Sequence, residues 1–208
     1  NPRHPASLHP QLPYAPIYQA TLRTRIAFST SNQPNVRIST QCRRPYGIAL
    51  ERLPIDLLEI QADNGEDIAR HKAAAAYAAI GQPLVISDDS TSIPGLGGFP
   101  GPYMKYMNEW FTPADFLRLT RSLQDRRLIL HQVVVYQDAD QQMVFTADIN
   151  CTILKEIRGE SNYSHLTLTS VDGTHSLAEG IAAGGNPVFN DARGAWHQFS
   201  EWIDTVNG

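Results

Sequence analysis

An alanine-rich segment between Asn64 and Gly81 is the feature that most limits how this chain can fold. Asn64 can cap a helix, acidic residues follow it where the helix dipole favours negative charge, and Gly81 can end it. Short apolar runs lie on either side, at residues 26–28 and 84–86, and each leads into a polar cluster. Such runs are typical of buried strands. The pattern predicts an α/β protein, or an α+β protein with a mixed sheet.

The rest of the chain fits the same class. Residues 1–24 carry repeated prolines without an apolar period, which predicts an extended N-terminal arm ahead of a single domain at 25–208. The other predicted elements are helices through Tyr106, at 113–123 and at 188–206, and an antiparallel meander of strands at 128–136, 143–149 and 152–157 with a turn at 137–142.

Composition removes several classes of protein. The 208 residues carry a net charge of −4, which argues against a broad nucleic-acid-binding surface. No apolar run approaches the roughly 18 residues of a membrane span, and no secretory signal is visible. The two cysteines, Cys42 and Cys151, favour a reducing compartment over a disulfide framework. We therefore expect a soluble, cytoplasmic protein.

Acidic side chains follow two of the predicted strands. Glu59 comes after the short run at 55–58, and Asp88 and Asp89 come after the run at 84–86. Ligands bind at strand ends in open α/β sheets, and paired carboxylates there can hold Mg²⁺ together with a phosphate. Water beside a spare carboxylate is then a candidate nucleophile. The alternative is that these acids cap helices or face solvent.

Phosphate-binding groups are also available near these acids. Thr30, Ser31 and Asn32 follow the first predicted strand and can offer hydroxyl, amide and backbone donors to phosphate oxygens. Lys72 lies on the alanine-rich helix, and Lys105 follows a Gly/Pro-rich loop. A capping turn and two solvated lysines remain the alternative explanation.

Other catalytic motifs are missing from the sequence. The seven histidines form no His-x₃-His spacing, and neither GxSxG nor GxGxxG occurs. The sequence therefore does not support a zinc hydrolase, a nicotinamide or flavin enzyme, or a triad esterase.

Several segments together resemble one known family. In order, the chain carries TSN at 30–32, DLLEIQ at 56–61, Lys72, LVISD at 84–88 and LGGFPGPYMK at 96–105. These segments resemble those of the Ham1 / inosine triphosphate pyrophosphatase family. The resemblance implies an elongated, two-lobed fold with a central mixed sheet, flanking helices and a nucleotide in the cleft between the lobes. It also implies a homodimer that hydrolyses a nucleoside triphosphate to the monophosphate and pyrophosphate with Mg²⁺, or with Mn²⁺ in its place.

The resemblance assigns roles to individual residues. Glu59 corresponds to a metal-binding carboxylate, and Asp88 to the residue that binds metal and activates water. Ser87 stands where the family has another acid, so Asp89 is expected to compensate as a metal ligand. Phosphate binding falls to Thr30 and Asn32, with Ser31 between them, and to Lys72 and Lys105.

The base-reading half of the family's site is largely replaced. Gly185 stands where the family has a lysine near its end, and from Gly159 onward the only Lys or Arg is Arg193. In the phosphate loop, Asn35 also stands where the family has a lysine. Two explanations follow: a pyrophosphatase that accepts a different base, or a domain that has lost catalysis and binds a nucleotide or a protein. Candidate replacements for the base-binding residues are Tyr163, His165, Phe189 and Asn190.

Overall fold

The computed structural model describes residues 24–29, 48–52, 55, 57, 60–185, 188 and 194–207. All structural statements below refer to these residues. Of the predicted arm at 1–24, only Thr24 falls within them. The strands are β1 Thr24–Ser29, β2 Ile48–Arg52, β3 Leu84–Ser92, β4 Pro100–Gly101, β5 Arg127–Gln137, β6 Gln142–Ile153 and β7 Thr169–Ser170. The α-helices are α1 Gly65–Ile80, α2 Met104–Trp110, α3 Pro113–Thr120, α4 Leu177–Ala182 and α5 Ala195–Asn207.

The strands form one mixed sheet, as predicted. Its order is β2-β1-β3-β5-β6-β7, and β4 pairs with β3 outside this path. β1 runs parallel to both β2 and β3, whereas the remaining pairs are antiparallel. The crossover from β2 to β3 contains α1, as parallel strands require a long connection. The α/β class is confirmed.

Helix α1 begins and ends where the sequence predicts. The Asn64 side chain accepts a hydrogen bond from the Asp67 backbone N–H and so caps the first turn. Gly81 ends the helix with φ at 65°, and its N–H donates to the carbonyl of Tyr77. That left-handed conformation strains any residue with a Cβ atom, which explains the glycine.

Strand β3 is longer than the sequence suggested. The prediction ended the strand near Ile86 and put Asp88 and Asp89 beyond it, but β3 continues to Ser92. β5 pairs with every residue of β3 and thereby supplies backbone hydrogen-bond partners for its polar second half, residues 87–92. This pairing outweighs the low strand propensity of Asp. Both acids therefore lie within the sheet.

Two other predicted elements also differ. Residues 152–157 are not a separate strand, because Thr152 and Ile153 finish β6 and no strand covers 154–157. The Arg126 guanidinium donates to the carbonyls of Ile153 and Leu154 as the chain leaves the sheet. The last helix begins at Ala195 rather than at Val188.

The hydrophobic core divides into two lobes along the sheet. In the first lobe, the alanine-rich face of α1 packs on one side of the sheet, and Trp196 and Phe199 of α5 pack on the other side. In the second, Phe116 of α3 and Leu168 pack against the far half of β5 and β6. Among the described residues, no helix has both the length and the apolar character needed to span a membrane.

Candidate functional site

The centre of the site is a gap in one edge of β3. β1 pairs with β3 as far as Ile86, and β4 pairs with it at Thr91 and Ser92. Both must lie on the same edge because β5 occupies the whole of the other one. Within the described part of the chain, residues 87–90 are thus left between two strand ends at the junction of the lobes. Ser87 is buried, whereas residues 88–90 are partly exposed at this point, and ligands commonly bind at such strand ends in α/β sheets.

Lys72 and Asp88 meet at this gap. Alternation along β3 turns Asp88 toward the face that α1 covers, and Lys72 on α1 reaches the same place. The Lys72 Nζ lies 2.7 Å from Asp88 Oδ2, with 19% and 21% of the two side chains exposed. A charged pair that is mostly shielded from water interacts more strongly than a surface pair. The structure therefore brings together one predicted phosphate ligand and the predicted catalytic acid.

Asp89 points to the opposite face of β3. Burial, helped by the negative charge of Asp88, raises the pKa of the Asp89 carboxyl to about 7, while a hydrogen bond from the Val133 backbone lowers it. Its Oδ1 atom is buried and makes no hydrogen bond. Unpartnered buried oxygens are rare in folded proteins and call for an explanation, such as an ion or ligand. Whether Asp89 and Asp88 hold the same ion stays a prediction.

Gln132 is a site residue that the sequence analysis missed. It lies directly opposite Asp89 in the β3–β5 ladder and is 2% exposed. Its Oε1 accepts a hydrogen bond of 3.2 Å from the Ala195 backbone N–H at the start of α5, whereas its Nε2 is buried without a partner. In the sequence, the only indication of a special role was that Gln132 is a polar residue beside the apolar run of β5. Only the strand register shows that it lies opposite Asp89.

Lys105 lies on the second lobe. It is exposed in the first turn of α2, and it makes no ion pair within the described residues. The loop before it turns sharply because Gly97 and Gly98 have φ values of 66° and 96°, a region that disfavours other residues. Since β4 joins this loop to Thr91 of β3, the loop is anchored beside the gap. A phosphate contact by Lys105 stays a prediction.

Two of the predicted base-binding residues lie together on the second lobe. The Tyr163 and His165 rings are 6.4 Å apart in an edge-to-face arrangement. His165 is 8% exposed, and its Nδ1 lies 2.8 Å from Asn108 Oδ1 on α2. Burial lowers the pKa of His165 to about 4, so the ring is neutral near pH 7. This pairing joins the 3₁₀ turn Ser164–Thr167 to α2, and base recognition by the two rings is untested.

The remaining predicted site residues lie outside the described ranges. Within those ranges, no group of three His, Cys, Asp or Glu residues could hold a metal ion. The predicted residues not described are Thr30, Ser31, Asn32, Glu59, Phe189 and Asn190.

Comparison with known proteins identifies the family. The model of the Ham1 family matches residues 26–179, most of the chain and all of the gap. The chain belongs to the Ham1 family. The match includes Lys72, Asp88 and Lys105, and it ends before the divergent segment around residues 185–191.

Curated relatives of this Ham1 chain carry the names of pyrophosphatases. It is 28% identical over 179 residues to the dITP/XTP pyrophosphatase of Methanopyrus kandleri, covering 86% of this chain and 95% of the relative. It is 26% identical over 180 residues to the dITP/XTP pyrophosphatase of Thermococcus kodakarensis, covering 86% and 97%.

Solved structures share the Ham1 fold with this chain. The structure of a Ham1 protein from Coxiella burnetii matches with a TM-score of 0.66 at 18% identity, covering 88% of this chain and 98% of the other. The Ham1 protein from Staphylococcus aureus matches with a TM-score of 0.68 at 17% identity, covering 88% and 99%. These similarities confirm the mixed sheet with flanking helices.

Proposed function

We propose that this protein hydrolyses a nucleoside triphosphate to the monophosphate and pyrophosphate with Mg²⁺, and that its base recognition differs from that of its inosine- and xanthosine-specific relatives. The observation that carries the proposal is the shielded Lys72–Asp88 pair in the gap between the lobes. It combines a cation for phosphate oxygens with an acid for water activation. Relatives named dITP/XTP pyrophosphatase support the reaction class.

The donor set at the gap fits a hard cation. Asp88 offers carboxylate oxygens on the face of β3 that α1 covers, whereas the buried, unpartnered Asp89 Oδ1 lies on the opposite face. Mg²⁺ prefers such oxygens, and it is commonly held by only one or two carboxylates together with substrate phosphates. Glu59 is the further predicted ligand. When bound, Mg²⁺ would offset the negative charge of the phosphates.

The chain's own groups supply the proton transfer. The Asp88 carboxylate orients a water molecule and takes its proton as the water oxygen attacks the α-phosphorus. The bond from this phosphorus to the α–β bridging oxygen breaks, and pyrophosphate leaves with that oxygen. The Lys72 ammonium offsets the charge that builds up on the phosphate oxygens. Thr30, Ser31, Asn32 and Lys105 are the proposed additional phosphate contacts.

Base recognition falls to residues of the second lobe and of the segment before α5. Tyr163 and His165 offer aromatic rings. Because Nδ1 of the neutral His165 ring is hydrogen-bonded to Asn108, this bond determines whether the other ring nitrogen donates or accepts toward a base. Phe189 and Asn190 are the other proposed contacts. A site that loses the donors matched to one base loses discrimination for it, which supports a changed specificity.

An exposed aromatic row on α2 supports the proposed homodimer. Tyr103, Tyr106 and Trp110 are 47%, 40% and 69% exposed, and their spacing puts them on one side of the helix. Exposed apolar clusters commonly mark protein interfaces. Replacement of Trp110 with Asp should shift the protein to a monomer in sedimentation equilibrium. An unchanged mass would remove this row from the interface. A cytoplasmic location stays a prediction from composition.

The experiment is a screen of common and damaged nucleoside triphosphates for pyrophosphate release. Reactions contain Mg²⁺, Mn²⁺ or EDTA, and Asp88→Asn and Glu59→Gln serve as blanks. We expect release from at least one nucleotide with either ion and a loss of roughly 10²–10⁴-fold for Asp88→Asn. The exposed Asp140→Asn variant is the matched control. No release from any nucleotide, with a ligand-dependent rise in melting temperature, would instead support a non-catalytic nucleotide-binding domain.

A further inference from the structure

Three side chains outside the proposed pyrophosphatase site form a continuous hydrogen-bonded chain. The Ser92 Oγ lies 2.7 Å from His131 Nε2, and His131 Nδ1 lies 2.6 Å from Asp148 Oδ1. A hydroxyl, an imidazole and a carboxylate in this order are the parts of an activated serine nucleophile. Such a set is recognised by its geometry and not by its order or motif in the sequence.

The register of three neighbouring strands creates this arrangement. His131 of β5 lies directly opposite Asp148 of β6, so their side chains project from the same face. Ser92 of β3 pairs with Ile129, which makes His131 its diagonal neighbour on that face. Each member is therefore held by a different strand of a rigid sheet, which keeps the spacing constant.

The hydrogen bonds define the tautomer of the neutral ring. The Asp148 carboxylate can only accept, so Nδ1 of His131 carries the proton. Nε2 then has a lone pair and accepts the Ser92 hydroxyl proton. In this state the Ser92 oxygen has its proton directed at a base, as nucleophilic attack requires.

The group is within reach of a small substrate. The His131 side chain is 32% exposed, and Ser92 is partly exposed. Ser92 pairs with Pro100, and the neighbouring Phe99 is 41% exposed. A proline directly opposite Ser92 and the lack of a cationic side chain among the three bonded residues favour an uncharged acyl ester over a polyphosphate.

We propose that Ser92, His131 and Asp148 form a second reactive site that takes short acyl esters. The Ser92 oxygen bonds to the ester carbonyl carbon, and His131 Nε2 takes the hydroxyl proton while Asp148 holds the ring. The bond from carbon to the leaving oxygen breaks, and His131 returns its proton to that oxygen. Water then attacks the acyl-serine through the same base, which releases the acid and restores the Ser92 hydroxyl.

This site is separate from the Lys72–Asp88 pair. The nucleophile Ser92 lies on the same face of β3 as Asp88 but four residues further on, about 13 Å at 3.3 Å per residue, and His131 lies opposite Ser90, two residues beyond Asp88. The Asp88→Asn variant should therefore lose pyrophosphate release and keep its ester reactivity. Failure of either proposal can thus be recognised without reference to the other.

The test uses a fluorophosphonate probe and p-nitrophenyl acetate on the full chain. The probe should add to Ser92 with loss of fluoride, which peptide mass spectrometry locates. Ser92→Ala should abolish labelling, His131→Asn should slow labelling and acetate release by about 100-fold or more, and Asp148→Asn should slow both to a lesser degree. Circular dichroism melts show whether each variant is folded.

Ser122→Ala is the matched control, because Ser122 is an exposed serine in the turn after α3 and lies outside the hydrogen-bonded chain. Labelling of this variant should equal that of the original protein. The proposal is overturned if the original protein is not labelled at Ser92, since the three residues would then be a cross-strand link without reactivity. It is also overturned if a folded His131→Asn variant reacts at the original rate.

Discussion

The Lys72 ammonium and the Asp88 carboxylate lie 2.7 Å apart across the interface between α1 and β3. Lys72 comes from a helix and Asp88 from the middle of a strand, so packing of α1 on the sheet determines their distance. With about a fifth of each side chain exposed, the pair is shielded but remains accessible from the gap. A phosphate group that enters there can compete with Asp88 for the ammonium.

Replacement of Lys72 with Gln should weaken substrate binding in the transition state. Loss of one charge-assisted hydrogen bond of about 1.5–3 kcal/mol corresponds to a fall in kcat/KM of roughly 10–100-fold. Steady-state pyrophosphate release measures this change. Lys155→Gln, which alters an exposed lysine, is the control and should keep the original value. Equal values for the two variants would exclude Lys72 from the site.

Asp89→Asn should change how stability depends on pH. The folded pKa of about 7 lies above the ordinary aspartate pKa of 3.8, so the folded state binds the proton more tightly. Stability is therefore lost as pH rises from about 4 to 7, by an amount on the order of a few kcal/mol. In urea unfolding with EDTA, the stability of Asp89→Asn relative to the original protein should therefore rise between about pH 4 and pH 7. Asp140→Asn should follow the original profile.

His165 should produce the opposite dependence over nearly the same pH range. Its folded pKa of about 4 lies below the ordinary histidine pKa of 6.5, so the unfolded state binds the proton more tightly. Stability is present above about 6.5 and is lost as pH falls toward 4. His165→Gln should reduce this slope in urea unfolding. His71→Gln, at an exposed position on α1, is expected to preserve it.

Asn64→Ala should destabilise the helix that holds Lys72. The Asn64 side chain accepts the Asp67 N–H at 2.8 Å, and loss of such a cap costs about 0.5–2 kcal/mol. Chemical denaturation measures the change in the free energy of unfolding. Asn64→Ser retains an acceptor for the Asp67 N–H but loses the bond from Asn64 Nδ2 to Asp67 Oδ2, so it should lose less stability than Asn64→Ala. Equal losses in both variants would show that the cap does not stabilise α1.

The sequence alone was sufficient to predict an element where the residues that begin and end it are close to it in the chain. Helix α1 was predicted because the residues that begin and end it lie next to it. Asn64 accepts a backbone N–H of the first turn, and Gly81 ends the last turn. The 137–142 turn was predicted for a similar reason, and β5 and β6 do turn back between Gln137 and Gln142. Counting back from that turn would also have placed His131 opposite Asp148, a relationship that the search for sequential motifs overlooked.

Strand length and side-chain partners depended on distant residues. β3 extends through Asp88 and Asp89 because β5 supplies its ladder, and no local preference of these residues indicates that. The position of Gln132 opposite Asp89 and the buried Asp89 oxygen follow from the same pairing. The raised pKa of Asp89 is thus a consequence of packing, although the residue itself was recognised from the sequence.

By itself, the sequence determined the α/β class, the capped helix and the family resemblance, and it selected Lys72 and Asp88 as candidate site residues. These features depend on residue types and short spacings, which the chain carries locally. Tertiary structure alone decided which face each acid occupies, how far α1 brings Lys72 toward Asp88, and that Ser92 and His131 meet. Those relationships depend on strand register, where a shift of one residue reverses every side chain.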